Sequence, residues 1–235
     1  MTDGTVVASG APDRIRRRRY GALLICCIIL VGIQGIFPPG AVQQVLVAIN
    51  AGACLLLAVR SARLGAGAQR IAQVLAVTAI VVGFLHALDA GVSDGAARLC
   101  VAALLALGPP AVAIGILRDL RASGRVEVHA IAGVLALYLM IGMAFAFLYG
   151  GIDHVASTPF FADNVPATVS RCLYFSFTTL TTVGYGDMVA NTDLGRTLAI
   201  FEALMGQIYL VTIVSLLVGN LGRPTRVAAG RVPEQ

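Results

Sequence analysis

Six apolar stretches, Tyr20–Phe37, Ala41–Val59, Ile71–Leu88, Leu99–Leu117, Val128–Gly150 and Leu198–Leu221, leave this chain few ways to fold. A helix needs about 20 mainly apolar residues to cross the hydrocarbon of a bilayer. Within that layer each backbone N–H and C=O must find a partner in protein, which a helix supplies from its own segment. The expected fold is therefore an all-α integral membrane protein with six transmembrane helices. Composition supports it, since 58% of the 235 residues are hydrophobic and 12% are charged, far from the balance of a soluble domain.

All 17 basic residues are arginine. They gather before the first span (Arg14, Arg16 to Arg19), between the second and third (Arg60, Arg63, Arg70), after the fourth (Arg118, Arg121, Arg125) and after the sixth (Arg223, Arg226, Arg231). Alternate loops are thus basic, which by the positive-inside rule makes them and both termini cytoplasmic and requires an even number of spans. The expectation is a multi-pass protein of the plasma membrane, of bacterial type. The formal charge of +5 reads as topology and contact with anionic lipid rather than nucleic-acid binding. The arginine run before Tyr20 has the charge of a secretion signal, but no small-residue cleavage pattern precedes the next span, so a retained first helix is expected.

The outward stretch from Gly151 to Gly195 poses a problem. Its segment Arg171 to Met188 contains the apolar run Cys172–Phe177 but is too short to cross and return, so it must re-enter. Irregular backbone at that depth is tolerated only where protein buries it or water lines it. A short helix is expected from Thr168 to about Thr181, with Asp163 or Asn164 as cap and Pro166 in its first turn. Its C-terminal end, carrying roughly half a negative charge, points into the membrane and favours a cation just beyond it.

The residues YFSFTTLTTVGYGD, Tyr174 to Asp187, are similar to the pore helix and selectivity filter of potassium channels. The resemblance covers about Val128 to Leu221. It implies that carbonyls of Thr182, Val183, Gly184 and Tyr185, with the Thr182 hydroxyl, replace water around a dehydrated K+, and that Gly186 closes the outer end. Carbonyls turn to one axis only if backbone handedness alternates, and glycine adopts positive φ without steric cost. The resemblance further implies that Tyr185 packs against Tyr174 and Phe175, and that Asp187 restrains the loop behind the filter. Leu194-Gly195-Arg196 opens an inner helix with a hinge at Gly206. One face of that helix, Gln207, Leu210, Val214 and Val218, would line the cavity. Four copies of the filter strand are needed around one ion, so the partners expected are three identical subunits and the lipid bilayer.

The implied division is a cytoplasmic N-terminal segment 1–19, a four-helix membrane domain 20–127, a pore module 128–222 and a cytoplasmic tail 223–235. The short flanks place gating in the membrane part, lipid, tension, pH, the filter or a partner. Two departures from the resemblance stand out: Ala190 where related channels often carry proline, and Thr178 where some carry a buried acid. Glu202, an ionisable residue within a span, is expected to compensate by reaching a Thr178 or Thr179 hydroxyl. The alternative is a glutamate satisfied by ordinary helix packing.

Other polar groups point to no enzyme and no cofactor beyond K+ as permeant ion. The fourth span holds only Arg98, near its outer end, so the charge series that couples a helix to voltage is absent. His86 and Asp89, a helical turn apart near the outer end of the third span, could form a pH-sensitive or metal-binding pair, but with two candidate ligands ordinary helix-end polarity is the better reading. Asn50, Gln43 and Gln44 read as helix-packing hydrogen bonders. Cys26, Cys27, Cys54, Cys100 and Cys172 all fall in apolar stretches and read as small buried hydrophobes. Alternatives to a potassium channel are a nonselective cation channel, a non-conducting regulatory subunit, and a transporter built of several pore repeats, of which only one is found.

Overall fold

The computed structural model describes residues 11–38, 40–62, 64–88, 91–123 and 128–215. They form α1 (Ala11–Ile36), α2 (Ala41–Ser61), α3 (Ala66–Ala87), α4 (Asp94–Ser123), α5 (Val128–Val155), the short α6 (Val169–Leu180) and α7 (Asp193–Tyr209), which continues as one π-turn, Leu210–Val214. Six helices among the described residues are long and apolar enough to cross a membrane, all but α6. The chain is a multi-pass membrane protein, all-helical apart from one isolated backbone bridge, Phe161 to Ala190.

Several helices start before their apolar runs, and capping explains two of them. The Ser93 hydroxyl accepts the Ala96 N–H at 3.2 Å, so α4 begins at Asp94 rather than Leu99. The Thr192 hydroxyl accepts the Gly195 N–H at 3.1 Å, so α7 begins at Asp193 rather than Leu198. In each case a hydroxyl satisfies one of the N–H groups that a helix start leaves unbonded. Helix α4 also runs through Pro109 and Pro110 without ending, a tolerance found in membrane helices whose neighbours cover the break.

Helix α5 is the centre of the fold. Ala136, Met140, Met143, Ala146 and Tyr149, all on α5, are fully buried, because the helix packs on α4 and α1 on one side and on α6 and α7 on the other. Helix α2 packs on α1, α3 and α4. Two of the three expected packing residues of α2 bond to α1: Gln43 Nε2 donates to Gln34 Oε1 at 3.0 Å and Asn50 Oδ1 accepts from Cys26 Sγ at 3.3 Å. The five cysteines are free. Ile71, Val74, Val77, Val81 and Phe84 of α3 are exposed at helical spacing, an outer face suited to lipid.

Candidate functional site

Helix α6 is capped differently from the sequence expectation. Thr168 is the N-cap, its hydroxyl accepting the Arg171 N–H at 3.4 Å. Asp163 and Asn164 instead occupy a 3-10 turn with φ of 57° and 55°, and Pro166 precedes the helix. A residue held in the left-handed region cannot serve as an extended N-cap. Helix α6 therefore spans Val169–Leu180, and Thr168 and Thr181 flank it.

Beyond its C-terminus the backbone alternates. Thr182, Gly184 and Gly186 have positive φ of 59°, 51° and 79°, whereas Val183 and Tyr185 do not. Thr182 thus adopts a conformation uncommon for a non-glycine residue. The Thr178 carbonyl accepts both the Val183 N–H at 2.9 Å and the Gly184 N–H at 3.1 Å, which ties the start of the strand to the end of α6. Thr182 through Asp187 lie exposed on the protomer.

Behind the strand, the Tyr174 and Tyr185 rings stack at 6.2 Å with an interplanar angle of 7°. The Tyr174 hydroxyl donates to Asp187 Oδ2 at 2.9 Å, and this bond raises the phenol above its ordinary range. Phe175 does not join them. It is one residue on, about 100° around the helix, and is buried against Tyr149, Phe160 and Phe161. The loop before α6 is clasped to the strand's exit, with Ala162 N–H on Val189 O at 3.0 Å and Asn191 N–H on Phe160 O at 2.8 Å. Ala190 sits in this clasp opposite Phe161.

Glu202 is fully buried and reaches α6, at a different hydroxyl from those expected. Ser176 Oγ bonds its Oε1, and Tyr149 donates to its Oε2 at 2.6 Å. The single hydroxyl hydrogen of Ser176 is also within reach of the Gly142 carbonyl at 2.6 Å. Thr178 instead bonds back to the Phe175 carbonyl at 3.0 Å. Ser176 is the residue of α6 turned towards α5 and α7, whereas Thr178 is two positions round the helix. Sequence reasoning missed Tyr149 and Ser176, whose one sign there is a hydroxyl inside an apolar run.

Gly206, the expected hinge, sits in close contact with the end of α6. A Cβ built there would lie 2.2 Å from the Leu180 carbonyl oxygen, so the inner helix meets the end of α6 backbone to backbone. The helix departs from α geometry only at Leu210–Val214. That π-turn shifts the register of the face expected to hold Gln207, Leu210, Val214 and Val218. Gln207 is exposed and donates to the Thr182 hydroxyl at 3.0 Å, and Leu210 is exposed one turn below. Val218 and the Val214 side chain lie outside the described residues.

Two links were not foreseen. The Tyr138 hydroxyl of α5 donates to the Leu180 carbonyl at 3.2 Å. Arg98 of α4 donates to the Ala167 carbonyl at 2.8 Å and pairs with Asp94 at 2.7 Å, joining the first four helices to the residue before the Thr168 cap. Asp89, the suggested partner of His86, lies outside the described residues, and the carboxylate beside His86 is Asp94 at 3.2 Å.

No solved structure matches the chain. The inward rectifier potassium channel Kirbac3.1 of Paramagnetospirillum magnetotacticum is 30% identical over 92 residues, which make up 39% of this chain and 30% of that channel. The chain therefore spans less than a third of the length of that relative. Residues 133–222, which hold the re-entrant helix, the alternating strand and α7, match the family model described as an ion channel.

Proposed function

We propose that this chain is one subunit of a homotetrameric potassium channel, which conducts K+ passively through a pore lined by Thr182, Val183, Gly184, Tyr185 and Gly186. The observation that carries the reading is the alternation of φ at Thr182, Gly184 and Gly186, directly beyond the C-terminus of a helix that ends inside the protein. Alternating handedness turns successive carbonyls to one side, where they can replace the water of a dehydrated cation. The strand is exposed on the protomer, as a lining completed by three symmetry mates must be. The potassium specificity named for the 30% identical relative supports the choice of ion.

Asp187 and Tyr174 brace the outer end, Gln207 approaches the inner end at Thr182, and Glu202 with Ser176 and Tyr149 fixes α6. Phe175 acts at one remove, through the aromatic cluster under the outer loop. Basic flanks face the cytoplasm in this reading. The chemistry is passage of an ion, not a reaction.

The test is K+ against Na+ flux through the purified protein in liposomes, with Gly184→Ala as control. Potassium-selective flux abolished by the substitution is expected. Equal Na+ flux would instead identify a nonselective cation pore. No flux from intact tetramers would identify a subunit that needs a partner.

A further inference from the structure

At the outer ends of α3, α4 and α5, two imidazoles converge on one carboxylate. His86 Nε2 of α3 lies 3.2 Å from Asp94 Oδ1, and His154 Nε2 of α5 lies 2.7 Å from Asp94 Oδ2. Their other ring nitrogens face backbone carbonyls: His86 Nδ1 is 2.8 Å from Val92 O, and His154 Nδ1 is 3.0 Å from Gly150 O. Every ring nitrogen therefore faces an oxygen that can only accept.

Counting hydrogens decides what this arrangement needs. A neutral imidazole has one N–H and one lone pair, whereas the imidazolium has two N–H groups. With Nδ1–H spent on a carbonyl, the Nε2 lone pair of a neutral ring would point at the Asp94 carboxylate. His86 Nε2 is buried and has no aligned hydrogen bond, so its contact with Asp94 is favourable as a charge contact only when the ring is protonated. A shared metal ion is a poorer filling. The two imidazoles approach opposite oxygens of Asp94, Arg98 already occupies Oδ2 at 2.7 Å, and no group of three potential ligands among the described residues could hold a metal ion.

We propose that His86, His154 and Asp94 form a proton-binding site on the outer side of the membrane, whose occupancy sets how firmly Arg98 holds the start of α6. The charged and titratable neighbours are Asp94 and Arg98 of α4, and Asp153, which lies 3.8 Å from His154 Nδ1 and accepts the Phe160 N–H at 2.8 Å. From α6 the nearby titratable group is Cys172, whose thiol responds to both Arg98 and Asp153, while Arg171 turns away to the Pro166 carbonyl at 3.2 Å. With both imidazoles protonated, Asp94 has three positive partners. With both neutral, Arg98 is its only one, and the guanidinium is drawn from the Ala167 carbonyl towards the carboxylate. Acid on the outside thus secures the segment before the Thr168 cap, and alkali loosens it.

The test has two parts that need no ion flux. In protein labelled with nitrogen-15 at histidine, both imidazoles should carry a second N–H at the acid end of a pH series and one N–H at the alkaline end, with His86→Gln and His154→Gln assigning the signals. Hydrogen exchange of the first turn of α6, corrected for its intrinsic pH dependence, should be about threefold to fivefold slower at the acid end, the weight of one hydrogen bond. The double variant should abolish that difference. Rings that keep a single N–H throughout, or exchange whose pH dependence survives in the double variant, overturn the proposal. A third measurement rests on the channel reading: K+ flux should fall by a similar factor as outside pH rises over the same span. Absence of any flux would count against that reading and leave the two other results to decide the proton site.

Discussion

Tyr149 of α5 donates a hydrogen bond of 2.6 Å to the Glu202 carboxyl of α7, behind the helix that carries the candidate filter. Ser176 of that helix bonds the other carboxyl oxygen, so three helices meet at one side chain. A buried carboxyl is costly unless its oxygens are bonded, and within a membrane span such a group marks function or a structural junction.

Removing either end of this junction should loosen all three helices. Glu202→Ala leaves the buried Tyr149 hydroxyl without its acceptor and Ser176 without its partner on α7, and a loss of about 1–3 kcal/mol in stability is expected. Tyr149→Phe should cost about 1 kcal/mol. Thermal unfolding of the detergent-purified protein measures both. The double variant should lose less than the sum, because the groups share one network; additive losses would mean they act separately.

Two glycines should fail in different ways. Gly206→Ala places a methyl 2.2 Å from the Leu180 carbonyl oxygen, so the helices must part, at an expected cost of about 3 kcal/mol or more, with a fall in the yield of folded protein. Gly184 has open space around its Cβ position but a φ of +51°, so alanine there strains only the strand. Gly184→Ala should therefore assemble normally and lose ion flux. Size-exclusion chromatography and liposome flux, run on both variants, separate the two outcomes.

Tyr174→Phe keeps the stack on Tyr185 and removes the bond to Asp187. Assembly should be unchanged while the K+ to Na+ flux ratio falls, since the outer end of the strand loses a tether. The same tether sets a pH dependence. Because the bond to Asp187 raises the phenol's pKa, the donor is fully present below the ordinary tyrosine value of about 10 and is lost as pH rises through the raised one. Wild-type selectivity should hold up to that alkaline range, and a drop nearer neutrality would refute the tether.

The conductance should vary little with voltage. Each charge carried across the membrane field is worth about 2.3 kcal/mol per 100 mV, but Arg98, just before the α4 apolar stretch, is anchored to Asp94 and Ala167. Planar-bilayer recording tests this directly. A steep conductance–voltage curve would require a charge movement that this anchoring forbids.

Burial pushes the Cys172 thiol up to about 12, so it stays protonated and a poor nucleophile at neutral pH. A maleimide at pH 7.5 should leave Cys172 unmodified in the folded protein and label it after denaturation, as peptide mass spectrometry would read. Labelling of the folded protein at neutral pH would mean that α6 opens locally.

The parts governed by short-range rules were legible in the sequence. Apolar length marked the six long helices, and the glycines at 184 and 186 marked where the backbone would turn left-handed. Thr182 joined them in the structure although its residue type gave no sign of positive φ. What escaped the sequence was partner choice across distance. Glu202 was expected at Thr178 or Thr179, but helical rotation points Ser176 towards it. Phe175 was grouped with Tyr174, yet neighbours in sequence face different surroundings on a helix. The hinge at Gly206 was implied by the resemblance alone, and the space that Gly206 leaves beside the Leu180 carbonyl is a need that no local pattern encodes.

The central position of α5 bears on how such a protein can be taken apart. One side of α5 covers α4 and α1, and the other covers α6 and α7. A fragment beginning at α5 would present the fully buried Ala136, Met140 and Met143 to whatever replaced its lost neighbours. The first four helices are thus not cargo attached to a self-sufficient two-helix unit. Transplanting the pore into another scaffold would require a new face for α5, and sequence changes on the α4 side of that helix would have to be inherited together with those on α4 itself.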